Sequence, residues 1–285
     1  YPDRPTLDLF LDHARDIIER RELSGCHHRS KVTDVTRSAG TETYLVKTGA
    51  GAIETHHVVL AVGLGATPTL PEWTTSLPDD APLAHVWDEA FDPTTPGAFE
   101  ERTFVVGGGI TAGHLACRLA DRTVVTLLSR HELEIELTEA DPHWINWRHI
   151  GKEIHTLPVG SEARLDRIRS ARNDATIPPY VERRLAEARD GGALEHRQGE
   201  ITSANATDEG LSLRVDDGTR ATAARVVLAT GLEPVPEQPL VDRVSESLSL
   251  ARGAEGFPVL DDRTLAWRRT DSSESAVYVS GALAE

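Results

Sequence analysis

Apolar and polar positions change their period several times along the 285 residues, and each change marks an element. From Leu7 to Ile18 apolar side chains recur at three- and four-residue intervals: Leu7, Phe10, Leu11, Ala14, Ile17 and Ile18. That spacing predicts a helix with one apolar face, opened by Thr6 as N-cap and expected to pack on the rest of the fold. Residues 26–63 shift to short runs broken by turn residues. Thr43–Thr48 and Ala52–His57 flank Gly49-Ala50-Gly51, a hairpin signal. The unbroken run Val58-Val59-Leu60-Ala61-Val62 then ends at Gly63 and reads as a buried strand.

The same pattern returns later. Residues 31–63 and 200–231 align end to end, with two short runs, a glycine turn and a buried strand that closes on V-V-L-A-[VT]-G, at Gly63 and at Gly231. A duplicated β-meander plus strand implies two similar nucleotide-binding modules in one chain.

Between the copies, Thr103–His131 reads as strand, glycine turn, helix, strand. Phe104-Val105-Val106 stops at Gly107-Gly108-Gly109; Ala112, Leu115, Ala116 and Leu119 then recur at helical spacing, and Val124–Leu128 is a second apolar run. Gly107, Gly109 and Ala112 give G-x-G-x-x-A in a βαβ context, where the fingerprint binds a dinucleotide. Gly107 permits the tight turn, Gly109 lets the backbone approach a pyrophosphate, and the small Ala112 lets helix and strand pack closely. The helix N-terminus offers unpaired N–H groups to the phosphates. Gly107, Gly108, Gly109, Ile110, Thr111 and Ala112 are therefore candidate cofactor-binding residues. Ser129 and Arg130 join them at the end of the second strand. NAD sites usually carry a carboxylate there; Arg130 instead suits a 2′-phosphate, so the reading favours NADPH over NADH. A solvated strand-end charge is the plainer alternative for Arg130.

The remaining stretches carry weaker signals. Residues 72–102, with Pro78, Pro82, Pro93 and Pro96, read as a stiff polar linker, and His85-Val86-Trp87-Asp88 within it as packed linker or crossover element. Residues 132–197 read as a helical insertion. In Asp141–His149, Trp144 and Trp147 are expected to pack at i, i+3 on a helix beginning after Pro142, with lining a cleft as the alternative. His143 and His149 lack a third ligand at recognisable spacing, so no metal site is expected. The arginines of 164–172 and 183–189 are expected to form solvated i, i+4 pairs, although one of them could reach the cofactor phosphates.

Composition narrows the setting. The net charge is −16 and lysine occurs only at Lys31, Lys47 and Lys152. Such a surface excludes nucleic acid as a partner and fits a cytoplasmic, halophilic protein whose self-repulsion is screened by salt. No apolar run reaches membrane-spanning length. Cys26 and Cys117 form no C-x-x-C and read as small core side chains. The chain starts at Tyr1 and contains no Met, as expected of an internal piece of a longer protein.

Two V-V-L-A-[VT]-G strands around one G-x-G-x-x-A unit resemble the flavoproteins with two dinucleotide-binding domains. In that group a first Rossmann-like domain binds FAD, and a second, inserted in it, binds NAD(P)H. Gly63-Leu64-Gly65-Ala66-Thr67-Pro68-Thr69-Leu70-Pro71 resembles the A-T-G-x-x-x-x-P-x-x-P crossover of flavin-dependent monooxygenases, class B lysine or ornithine N-hydroxylases being most similar. Val277–Glu285 resembles the strand and glycine, here Gly281, that precede a second FAD segment. The resemblance implies an α/β fold with two Rossmann-like domains, each a three-layer arrangement of parallel sheet and β-meander. It divides the chain into a partial FAD domain at 1–71, a linker at 72–102, an NAD(P)H domain at 103–232 and a return to the FAD domain at 233–285. Gly63, Gly231 and Gly281 are the implied further cofactor contacts. It also implies FAD and NADPH as cofactors, O₂ and a small amine, amino acid or ketone as substrates, and a homo-oligomer as one arrangement. A reductase without oxygenation shares these motifs, and a non-catalytic redox sensor could keep the fold. Departures are plain. The N-terminal FAD fingerprint is absent, Ala282 stands where many relatives have Asp, and Val62 replaces a Thr, so residues 1–285 by themselves are not expected to hold FAD tightly.

Overall fold

The duplicated pattern folds twice into the same unit. A computed structural model describes residues 6–65, 67–95, 99, 101–138, 140–173, 175–233 and 238–284. Helix α1 (Leu7–Arg20) opens it, with the Thr6 hydroxyl accepting from Leu9 N at 3.2 Å. The antiparallel meander β1 (Val32–Arg37), β2 (Tyr44–Thr48) and β3 (Gly51–Thr55) leads into β4 (Val58–Leu60). Strand β5 (Leu83–His85) precedes the glycine-turn unit of β6 (Thr103–Val106), α2 (Ile110–Ala120) and β7 (Val125–Ser129). Beyond it come β8 (Glu134–Ile135), α3 (Trp147–Glu153), α4 (Glu162–Arg169), β9 (Thr176–Ile177), α5 (Pro179–Asp190) and β10 (Leu194–Gln198). A second meander, β11 (Ile201–Thr207), β12 (Gly210–Val215) and β13 (Arg220–Ala223), leads into β14 (Arg225–Leu228). Helix α6 (Pro239–Ser247), β15 (Ala266–Arg268) and β16 (Glu274–Val279) complete the order.

The two meanders share a defect as well as a pattern. Pairing of β1 with β2 slips between Val32 and Asp34, and pairing of β11 with β12 slips between Ile201 and Ser203. These are equivalent positions of the sequence repeat, so both copies bend at the same place.

Five strands in the order β10-β7-β6-β14-β5 form a wholly parallel sheet. Its central strands β7, β6 and β14 are apolar on both faces because both are covered, whereas the edge strand β10 is largely polar. Val105, Leu127 and Val227 face α2 and α5; Phe104, Leu128, Val226 and Leu228 face the β11–β13 meander and Trp73. The result is three layers of helix, parallel sheet and meander. A second sheet, β15-β16-β4, pairs β16 in parallel with β4, and packs with α6 and the first meander around Trp267.

Several expectations fail. Helix α1 forms, but none of its residues is buried, and Leu7 and Phe10 are 71% and 63% exposed. The segment 72–102 is not a free linker: β5 is an edge strand of the parallel sheet, and Trp73 is buried under it. The segment 132–197 is not wholly an insertion either. Helix α5 packs on α2, and β10 pairs with β7, so both build the nucleotide fold itself. Cys117 is buried as expected, whereas Cys26 is exposed. Three of the arginines reach across elements instead of along one helix, Arg164 to Asp262, Arg167 to Glu153 and Arg169 to Glu255, while Arg189 pairs with Glu182 within α5.

The two halves are joined by a strap. Thr69 N donates to the Gly231 carbonyl at 3.0 Å, Glu233 N to Thr67 O at 2.9 Å, and the Thr230 hydroxyl to Thr69 O at 2.6 Å. Pro68 and Leu232 bridge in antiparallel fashion between these bonds.

Candidate dinucleotide site

Strand β6 delivers the chain into Gly107, whose N–H donates to Leu128 O at 2.9 Å, while Ala229 N donates to Val106 O at 2.8 Å. The φ of Gly107 is +148°, and a Cβ there would lie 3.0 Å from the Ala229 carbonyl carbon and nearer still to its oxygen. Only glycine fits this close approach of β6 and β14. A Cβ on Gly108 would meet Ser129 and His131 at 3.3 Å. Gly109 is the N-cap of α2 and brings no side chain to the helix end. The first-turn N–H groups are thus left for a ligand, with the positive end of the helix dipole behind them.

These residues floor a cavity of about 480 Å³. Gly107, Gly108, Gly109, Ile110 and Thr111 form one side, and Arg130 and His131 stand at the end of β7. Arg172 and Asn173, from the loop after α4, and Thr69, Thr230 and Gly231 of the strap also line it. Trp73 and Trp87 add aromatic faces.

Placement of the candidate residues is uneven. Gly107, Gly108, Gly109, Ile110, Thr111, Arg130 and Gly231 line the cavity. Ala112 is fully buried beneath the turn and supports it by its small size. Ser129 does not reach the cavity: it is buried, donates to His131 O at 2.6 Å and lies 2.8 Å from His196 Nε2. Burial, followed by the Arg189 charge, holds the His196 imidazole below its ordinary pKa. Gly63 and Gly281 follow β4 and β16, on the second sheet, where Ser280 N donates to Leu60 O at 2.9 Å. Neither lines the cavity, and a Cβ on either would meet open space. The described residues around Gly63 and Gly281 form an open edge at the end of the second sheet.

The stretch 141–149 lines the cavity nowhere, and Trp147 is 74% exposed, so the i, i+3 packing of the two tryptophans also fails. Arg172, Asn173 and Thr69 are cavity-lining positions that sequence reasoning missed or could not choose. The arginine cluster of 164–172 was the signal, and the loop after α4 selects its last member. Trp87 came from the H-V-W-D stretch. Behind it His85 is buried; its backbone N–H donates to Asp88 Oδ2 at 2.6 Å, and its Nδ1 accepts from Trp87 N at 3.2 Å. Burial lowers the His85 pKa and outweighs the Asp88 carboxylate and the Gly231 carbonyl, which favour the charged ring.

The donor set fits a dinucleotide. An uncapped helix end over three glycines suits a pyrophosphate, and Arg130 suits a phosphate on the adenosine ribose. A profile of the pyridine nucleotide-disulphide oxidoreductase family matches residues 12–285. The chain belongs to that family. FAD and NAD(P) are the cofactors typical of this oxidoreductase family. Its fold is the FAD/NAD(P)-binding Rossmann-like fold of flavin monooxygenases. L-lysine 6-monooxygenase from Pseudomonas syringae superposes with a TM-score of 0.67 at 20% identity, covering 98% of this chain and 70% of that one. The ornithine N-hydroxylase of Kutzneria sp. 744 gives 0.68 at 19% identity, covering 95% and 70%. The bacillithiol disulfide reductase of Staphylococcus aureus gives 0.61 at 15%, covering 98% and 69%. Comparison with curated proteins returns no match. Among the described residues no helix is long and apolar enough to cross a membrane.

Proposed function

We propose that this family member is an NADPH-using, FAD-dependent monooxygenase of the N-hydroxylating kind, acting on a small amine or amino acid. The observation that carries the reading is the glycine-floored cavity lined by Arg130 at the end of β7 and by Arg172. NADPH bound there supplies a hydride from its nicotinamide. The open N–H groups of α2 hold the pyrophosphate, Arg130 holds the 2′-phosphate, and Trp73 and Trp87 shield the site from water. The proposed net reaction is R–NH₂ + O₂ + NADPH + H⁺ → R–NHOH + NADP⁺ + H₂O. Residues 1–71 and 233–285 are assigned to the flavin half and 103–232 to the nucleotide half. The acidic, lysine-poor composition supports a saline cytoplasm as its setting.

A reductase that passes electrons to another acceptor is the second reading, supported by the likeness to the S. aureus disulfide reductase. Against its disulfide branch, neither Cys26 nor Cys117 lines the cavity. The test is NADPH oxidation by the protein with added FAD in molar KCl, with lysine, ornithine or a plain amine as substrate. Oxygen uptake matched by a hydroxylamine product supports the proposal. NADPH oxidation that needs a quinone or other acceptor and yields no hydroxylamine favours the reductase. Failure to bind NADP⁺ overturns both and leaves a non-catalytic role.

A further inference from the structure

A second cluster lies outside the nucleotide cavity, between β8 and β9, and local rules assemble it. Asp141 caps a 3-10 turn, Pro142–Ile145, by accepting from His143 N at 2.7 Å. Asn146 caps α3 by accepting from Arg148 N at 3.0 Å. His149 and Glu153, four residues apart on α3, share one face. The turn brings His143 back onto that face, where its ring lies 3.6 Å from that of His149 with 32° between the planes. His143 Nε2 is 2.8 Å from Glu153 Oε1, and His149 Nδ1 is 3.9 Å from the same oxygen.

We propose that His143, His149 and Glu153 bind one divalent transition-metal ion of the zinc class. Their donor atoms all lie within 4.8 Å of one another, and this is the one such group among the described residues. Two imidazole nitrogens and one carboxylate oxygen suit zinc, nickel or copper; calcium and magnesium take oxygen ligands. Bonds of about 2.0–2.1 Å in a tetrahedron set donor separations of roughly 3.3 Å. The two histidine-to-carboxylate distances of 2.8 and 3.9 Å bracket that value, and the stacked imidazoles would have to swing apart for both nitrogens to converge on one ion. All three side chains are partly exposed, which gives the ion a path in and leaves positions for water.

The surroundings support the ligand set. Arg167 grips the second Glu153 oxygen and lies over the Trp144 ring at 4.5 Å, fixing the carboxylate from behind as outer-shell partners of metal ligands do. An ion-pair network alone accounts for His143, Glu153 and Arg167. His149 contributes least to that network: its nitrogen is 3.9 Å from Glu153, beyond hydrogen-bonding distance, and its ring rests on that of His143. A shared metal gives that histidine a role. Bound there, the ion would tie the 3-10 turn to α3 and, through Arg167, to α4, whose following loop carries Arg172 and Asn173 to the cavity.

The experiment titrates Zn²⁺ into the untagged full chain after chelation, by calorimetry at neutral pH, and repeats it with Co²⁺ to read the visible bands of nitrogen and oxygen ligation. The expected result is one ion per chain. His149→Ala and His143→Gln should each weaken it at least tenfold and abolish the Co²⁺ bands, with the wild-type circular dichroism retained. The triple variant Cys26→Ser/His27→Gln/His28→Gln, which removes another surface donor group, should leave the stoichiometry and affinity unchanged. No saturable binding, binding undiminished in both histidine variants, or loss confined to the triple variant would overturn the proposal.

Discussion

Gly107 and Ala229 are in backbone contact: the carbonyl of Ala229 occupies the place where any side chain at residue 107 would begin. The contact joins the glycine turn to the end of the second repeat, and neither partner is a flexible side chain. Gly107→Ala combines that overlap with a φ of +148° that L-residues avoid. We expect it to lower unfolding free energy by about 1–3 kcal/mol and to weaken NADP⁺ at least tenfold. Urea denaturation and a fluorescence titration with NADP⁺ check both.

Gly113 is a contrasting case. It lies on α2 where α5 crosses, and a Cβ there would meet Val181 Cγ1 at 2.7 Å. Here the neighbour is a side chain that can be shortened. Gly113→Ala should cost about 1–3 kcal/mol, and Gly113→Ala/Val181→Ala should cost less than the sum of the two single variants. A double-mutant cycle in urea reads the coupling; additive costs would mean that the two helices do not touch there.

Arg130→Ala should weaken NADP⁺ by roughly 10–100-fold, the loss of one charge-assisted phosphate contact, and leave NAD⁺ within about twofold. Equal losses for both nucleotides, measured by calorimetry, would remove Arg130 from the 2′-phosphate.

Asp261 carries a pH signature. Its carboxylate accepts from the N–H groups of Arg263 and Thr264, both at 3.0 Å, and from Arg268 at 3.1 Å, which lowers its pKa from 3.8 to about 2. A carboxyl depressed in the folded state contributes stability above its unfolded pKa and loses it as pH falls through the folded value. Asp261→Asn should therefore be less stable than wild type at pH 7. The gap should hold down to about pH 5 and close between pH 4 and 2. Urea midpoints across that range decide it; a gap independent of pH would assign the effect to turn geometry alone.

With a net charge of −16 and three lysines, the folded chain should need salt to screen its own repulsion. Dialysis from molar KCl into dilute buffer should erase the near-UV circular dichroism. An unchanged spectrum would refute the halophilic assignment.

The sequence made visible whatever rests on neighbours in the chain. The G-x-G-x-x-A turn, the two meanders and the cap at Thr6 all depend on short-range periodicity and turn chemistry, and all appear in place. What it hid depends on distant partners. Strand β10 reads L-E-H-R-Q, too polar to announce a sheet strand, and pairs because β7 presents an open edge. Ser129 is at the expected strand end, but its hydroxyl donates to His131 O and lies against His196, sixty-seven residues away. Arg172 reaches the cavity only because α4 ends where it does. Glu153 was four residues beyond His149 all along; the 3-10 turn that returns His143 to the same face has no signature in spacing alone.

The strap between Thr67–Thr69 and Gly231–Glu233 is also part of the nucleotide cavity. Thr69 N donates to the Gly231 carbonyl, and both residues line that cavity. One backbone bond therefore does two jobs: it ties the chain after the first repeat to the chain after the second, and it shapes the wall on which a bound nucleotide would rest.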